Sequence, residues 1–436
     1  MQAGFQSAAN IPELRRRITF TLLMLAIYRV GVQIPTPGIN GEALAAFFQK
    51  NAGTLFDMFN MFSGGALENF SIFALGIMPY ISASIIFQLL TVVVPQLEAL
   101  SKEGESGRRK ITQYTRYATV VLSLVQGLFI SVGLESMAAP SGSAMIVNMP
   151  GWGFRVMTIL TLTSGTAFIM WLGEQMSERG IGNGISLIIT AGIVAGIPAA
   201  IAKTFKMVSA GDMTFIFLPV LLAMMLVVVG IIIYFETAQR RIPVQYAKRV
   251  VGRRMYGGQQ SHLPLKINMS GVIPPIFASS IMMFPATIGG FIKIDWVQRV
   301  TAYLQWGSLT WTLLFIGFIV FFCFFYTAVT FNPVDVAENL KKNGGFIPGI
   351  RPGKKSAEFI DKITVRLTVI GAIYVSVICV LPTVLINNLN VPFYFGGTAL
   401  LIVVGVAIDT LAQIESHAVM RNYEGFLKSG KIRGRR

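Results

Sequence analysis

The sequence predicts an all-α polytopic membrane protein with ten transmembrane helices. Three observations predict it: an apolar composition, recurrent uncharged runs of spanning length, and a one-sided distribution of Lys and Arg. Of 436 residues, 53% are hydrophobic and only 13% are charged, and the mean hydropathy is positive. An ordinary soluble domain carries about 25% charged residues. About 20 residues at a rise of 1.5 Å cover a hydrocarbon core roughly 30 Å thick.

Runs that meet this requirement lie at 18–36, 71–94, 116–137, 154–173, 184–202, 214–235, 270–291, 308–330, 364–386 and 396–414. Each reads as a helix, because a spanning segment must satisfy its own backbone polar groups and these runs lack the alternation of a barrel strand. Pro79, Pro219, Pro285 and Pro382 fall inside runs and predict kinks or local breaks rather than ends. Arg15, Arg16 and Arg17 lead into the first run with no small-residue cleavage pattern behind it, so no separate cleavable signal peptide is expected.

Connections before, between and after the runs carry 27 Lys and Arg on the odd-numbered side and 5 on the even-numbered side. The positive-inside rule makes the odd side cytoplasmic, with both termini on it. Much of the formal charge of +16 is therefore topogenic and sits on one face. The expected organisation is a cytoplasmic segment 1–17, an N-terminal half 18–202, an outer connection 203–213, a C-terminal half 214–414 and a basic tail 415–436. The basic loops 236–269 and 331–363 are much longer than a helix connection needs, which asks for a second role.

Residues 54–70 break the pattern. They are amphipathic, carry Asp57, Asn60, Glu68 and Asn69, and are interrupted by Gly64 and Gly65. They read either as a re-entrant segment from the outer face or as an amphipathic helix lying on it.

The residues exclude several chemistries. His262 and His417 have no carboxylate or cysteine at ligand spacing, and no HExxH or GxSxG occurs, so no catalytic, metal or cofactor site is expected. Cys323 and Cys379 lie in apolar runs and read as small core residues. The run Arg179-Gly-Ile-Gly-Asn-Gly184 superficially resembles a phosphate loop, but no Lys-Ser or Lys-Thr follows and an apolar span does. Energy for transport would have to come from nucleotide hydrolysis by another polypeptide. Ionisable groups inside the runs are few, the clearest being Arg29, Arg155, Arg366 and Asp409, and they form no acidic relay. Composition alone leaves a channel and a secondary transporter open, with a structural membrane scaffold third.

Nine strings then point to one family: YRVGVQIPTPGIN (28–40), MFSGGALENFSIFALGIMPYISASIIFQLL (61–90), EGESGRRKITQYTRY (103–117), WLGEQMSERGIGNGIS (171–186), QRRIPVQYAKR (239–249), HLPLKINMSGVIPPIFASSI (262–281), FCFFYTAV (322–329), FNPVDVAENLKKNGGFIPGIRPG (331–353) and PFYFGGTALLIVV (392–404). In this order they resemble the SecY family of bacterial protein-export channels, and the outer loops 138–152 and 291–308 match least.

The resemblance implies two five-helix halves around an hourglass pore, a re-entrant plug helix and a lateral gate toward lipid. It implies a pore ring of Ile77, Ile81, Ile185, Ile189, Ile276 and Ile402, a plug at 54–70 with Phe56, Phe59, Phe62, Gly64 and Gly65, and a gate bordered by Ser82, Ile85 and Phe284. A waist of branched aliphatic side chains resists ions by dewetting. Docking would use Lys248, Arg249, Arg253 and Arg254 in the first long loop and Lys341, Lys342 and Arg351 in the second. The implied partners are SecE and SecG, the SecA ATPase, the ribosome through rRNA phosphates, unfolded secretory and membrane-protein clients, and the lipid bilayer. The implied location is the bacterial inner membrane, and no cofactor is implied.

Overall fold

The computed structural model describes residues 12–41, 43–44, 60, 63–136, 147–210, 215, 217–246, 249–251, 254–256, 260–291, 307–389 and 397–429. The chain begins with α1 (Pro12–Val32), α2 (Met78–Val93), α3 (Pro95–Lys102), α4 (Glu105–Ser136), α5 (Trp152–Arg179), α6 (Gly184–Ser209) and α7 (Phe217–Thr237). Strands β1 (Gln239–Tyr246), β2 (Arg249–Val251), β3 (Arg254–Tyr256) and β4 (Gln260–Lys266) follow. The remainder is α8 (Ile273–Phe291), α9 (Leu309–Thr330), α10 (Pro333–Lys342), β5 (Gly345–Phe346), α11 (Lys354–Leu389) and α12 (Gly397–Ser429).

Each of the ten expected runs overlaps a helix, though not all of these helices are long and apolar enough to span. Among the described residues, seven helices are long and apolar enough to cross a membrane, and eight crossings result if the bent pair α2 and α3 is one span. The remaining two runs fall on α1, whose apolar stretch is broken by Arg15, Arg16, Arg17 and Arg29, and on α8, whose described apolar part is the short Ile273–Met282. The protein is thus a multi-pass membrane protein. On α7, Val220, Leu222, Leu226 and Val227 are exposed, as lipid-facing side chains should be.

Local sequence explains several departures from the expected boundaries. The second run becomes helical only at Met78, because residues 63–77 form turns that contain Phe70 at φ 40° and Gly76 at φ 56°. Pro79 and Pro219 occupy first turns, where their missing N–H is unpaired in any helix, so they begin helices rather than kink them. Pro198 instead lies inside α6. The 99° bend between α2 and α3 is centred on Val94, held extended at φ −99°, ψ 113° by the following Pro95.

Two compact units result. Unit 1 comprises Met1–Asp212, Ser280–Ser308 and Ile402–Arg436, and unit 2 comprises Met213–Ser279 and Leu309–Leu401. In unit 1, one apolar core gathers Leu44, Leu67, Phe70, Leu75, Leu134, Val147, Phe154 and Leu162. The irregular backbone that crosses this core is internally paired: Thr36 N–H donates to Phe70 O at 2.8 Å, Ile72 N–H to Ile34 O at 3.0 Å and Ser71 N–H to Ala66 O at 2.8 Å. Non-helical backbone can persist at membrane depth only when it is satisfied in this way.

Unit 2 contains what helical periodicity did not foretell. The two long basic loops carry strands: β1 pairs antiparallel with β4 from Gln239↔Lys266 to Gln245↔Gln260, and β5 joins the other edge of β1 at Gln245↔Phe346 and Tyr246↔Gly345. At Pro243 that second edge is unpaired, so its missing N–H breaks no ladder. Ile242 and Leu265 pack into a core with Ala337 of α10, Ile347, and Ala357, Ile360 and Leu367 of α11. The two loops therefore form one folded platform. At 36 residues α11 is about 54 Å long, enough to cross a bilayer and still extend into the platform.

Candidate functional site

The pore-ring candidates sit on four helices. Ile77 is the N-cap residue of α2 and accepts the first helical bond from Ile81 N–H at 3.1 Å, so this pair keeps its one-turn spacing. Both are buried, as are Ile189 of α6 and Ile402 of α12. Ile185 is half-buried, against Gly173 of α5. Ile276, buried on α8, belongs to unit 2.

Of the plug candidates, Phe56, Phe59 and Phe62 lie outside the described residues. Gly64 and Gly65 both hold left-handed backbone, at φ 70° and 85°, but their surroundings differ. A Cβ on Gly64 would stand 2.8 Å from the Cα of Gly192 on α6, whereas a Cβ on Gly65 would meet open space. Around them Asn60 closes a loop, its side chain accepting from Glu68 N–H at 3.0 Å and donating to Glu68 Oε2 at 3.1 Å. Two neighbours on α1 grip the same stretch: the Tyr28 hydroxyl donates to Ser63 O at 3.0 Å and Arg29 Nη1 to Gly64 O at 2.9 Å.

For the gate, Ile85 is buried and Ser82 half-buried on α2, while the Phe284 side chain lies outside the described residues. Sequence reasoning missed a contact between these helices, where the Ser280 hydroxyl of α8 donates to Met78 Sδ of α2 at 3.6 Å. A methionine in an apolar run carries no signal that would select it as an acceptor.

On the platform, Lys341 and Lys342 at the end of α10 and Arg351 beyond β5 are exposed. Arg351 follows a turn closed by Ile350 N–H to Ile347 O at 3.1 Å, and its own carbonyl accepts from the Ser356 hydroxyl at 3.0 Å. Gly349 and Gly353 flank it at φ 79° and 101°. These bonds fix the backbone at Arg351, and its side chain is exposed. Arg249 and Arg254 lie on β2 and β3, which pair as a small hairpin, and Lys248 and Arg253 fall outside the described residues.

A buried polar group ties the end of α7 to the segment between β4 and α8. Asn268 Nδ2 donates to Glu236 Oε1 at 2.7 Å and to Gly271 O at 3.0 Å, and its Oδ1 accepts from the Ser270 hydroxyl at 3.0 Å. Sequence reasoning passed over it, because one Asn and one Glu at run ends look like ordinary interfacial residues.

In the glycine-rich turn between α5 and α6, the amides of Gly180, Ile181, Gly182, Gly184, Ile185 and Ser186 are already engaged within the protein rather than held open for a phosphate. Ile181 N–H donates to Thr21 Oγ1, Gly182 N–H to Gln413 Oε1, Gly184 N–H to Ser177 Oγ, and Ile185 and Ser186 N–H to the Asn183 cap. The glycines serve close packing instead: a Cβ on Gly180 would press on Met176 O and Thr21 Oγ1, and one on Gly182 on Leu187 and Thr410. Leu14, Ile181, Ile18 and Ile414 seal the turn between α1 and α12.

Comparison with known proteins sets these parts in a family. The SecY family model matches residues 71–411. The protein translocase subunit SecY of Escherichia coli (strain K12) is 52% identical over 435 residues, covering 99% of this chain and 98% of that one. Among solved structures, one described as a protein conducting channel aligns at a TM-score of 0.65 with 16% identity, covering 96% of this chain and 95% of the other. Sec61 in the canine ribosome-channel complex aligns at 0.61 with 16% identity over the same shares of the two chains.

Proposed function

Because this chain belongs to the SecY family, we propose that it is a protein-conducting channel that passes unfolded secretory polypeptides across the bacterial cytoplasmic membrane and releases membrane-protein helices sideways into it. The observation that carries this reading is similarity over nearly the whole length to a translocase subunit, at 52% identity. Ile77, Ile81, Ile185, Ile189, Ile276 and Ile402 would form the dewetted waist, with residues 54–70 as the plug on its outer side and Ser82, Ile85 and Phe284 along the lateral gate.

The channel does no catalysis in this reading. Energy comes from a separate ATPase, SecA, or from chain elongation on a ribosome, and SecE and SecG are the small membrane partners. The platform is the docking surface. Its exposed Lys341, Lys342 and Arg351 suit carboxylates of a motor or phosphates of rRNA, and contacts to phosphate weaken as salt rises. Both termini and the platform face the cytoplasm, as the 27-to-5 charge distribution asks.

The test is export of a radiolabelled precursor into proteoliposomes that hold this chain with SecE and SecG, supplied with SecA and ATP. ATP-dependent protection of the precursor from added protease is expected. Absence of protection, with proton-driven uptake of a small solute by the same vesicles, would replace this reading with a secondary transporter.

A further inference from the structure

We propose that Arg29 is a positioning residue that latches the plug in its resting place, with Tyr28 as its companion. The inference rests on the channel reading above and concerns the described end of the plug, Ser63–Gly65.

Arg29 is one of few ionisable side chains inside the spans, and such a residue is retained where a function needs it. Half-buried on α1, it directs Nη1 to the Gly64 carbonyl. Among the described residues no carboxylate lies within ion-pair distance of it. A cation bonded to a backbone carbonyl is a charge-assisted contact, which holds position more firmly than a neutral hydrogen bond. Tyr28 adds the adjacent carbonyl, so two consecutive side chains hold two consecutive peptide groups.

The site is also shaped for this approach. Gly64 is in left-handed backbone and lies so near Gly192 that a methyl on it would stand 2.8 Å from that Cα, 3.1 Å from Arg29 Nη1 and 3.1 Å from the Tyr28 oxygen. Gly192 is one turn beyond Ile189 on α6, which places the latch beside a ring candidate. Gly65 next to it is unobstructed and can absorb the backbone rotation when the latch opens.

The experiment is resting ion conductance of the complex with SecE and SecG in planar bilayers, without precursor or ATPase. Arg29→Met should raise resting open probability about 10-fold or more, the shift expected when one charge-assisted hydrogen bond is lost from one side of a two-state equilibrium. Arg29→Lys should restore part of the closure. Gly64→Ala should leak with Arg29 intact, because the methyl displaces the carbonyl. Precursor export by all three should persist, which shows that they fold and assemble. Wild-type resting conductance in Arg29→Met and Gly64→Ala, with export intact, would overturn the latch alone, whereas failure of wild-type export would overturn the channel reading beneath it.

Discussion

Gln413 Oε1 accepts a 2.9 Å hydrogen bond from the backbone N–H of Gly182, tying the turn between α5 and α6 to α12, the helix that carries Ile402. The two residues are 231 positions apart, so the bond joins the first of the three chain segments of unit 1 to the last.

Gln413→Leu should therefore leave the N–H of a buried glycine without an acceptor, at a cost of about 1–3 kcal/mol. Gln413→Glu keeps an acceptor oxygen and should lie near wild type. Thermal unfolding in detergent reads both, and equal melting of the two variants would show that the bond contributes nothing.

Asn268 predicts a sharper loss. Asn268→Leu removes a donor from the buried Glu236 carboxylate and should cost about 1.5–3 kcal/mol, the range for hydrogen bonds to charged groups. Asn268→Asp sets two carboxylates side by side and should be worse still, and adding Glu236→Gln should recover most of the loss. Detergent unfolding of wild type, Asn268→Asp, Glu236→Gln and the double variant as a double-mutant cycle, with Asn268→Leu measured beside them, decides it.

If Ile77, Ile81, Ile185, Ile189, Ile276 and Ile402 form the proposed waist, replacing two or more of them by Asn should hydrate a narrow apolar neck and raise ion leak. Unchanged conductance in planar bilayers would mean that these side chains only pack helices together.

For docking, Arg351→Glu should leave membrane insertion and SecE association intact while weakening SecA or ribosome binding by about 2–5 kcal/mol, the loss of a charge-assisted contact plus repulsion. Arg351→Lys should substitute only in part, since an ammonium cannot reproduce the planar fork. ATP-dependent export and SecA binding at low and high salt measure this, and full export by the Glu variant would make Arg351 a topogenic charge.

The helices were legible because hydropathy is local: α4, α5, α6, α7, α9, α11 and α12 each announce themselves within their own residues. What was hidden depends on pairings distant in sequence. Gln245 and Tyr246 meet Phe346 and Gly345 about 100 positions later, and no period within either loop encodes that meeting. Arg29 could be singled out as an intramembrane charge, yet its partner is the carbonyl of Gly64, a group every residue possesses. The phosphate-loop likeness at 179–184 could be set aside from sequence, while its true use needed Thr21 and Gln413 in view.

The shared core of the platform also sets an order of biogenesis. The β1–β4 hairpin is synthesised first, but Ala337, Ile347, Ala357, Ile360 and Leu367, which cover Ile242 and Leu265, emerge only after α8 and α9. At 5–20 residues per second, the roughly 100 residues from Lys266 to Leu367 take about 5–20 s to make. During that interval the nascent protein carries an uncovered apolar hairpin, which the ribosome surface or a chaperone must shield, and a chain truncated before α10 would keep it uncovered and become a substrate for quality-control proteolysis.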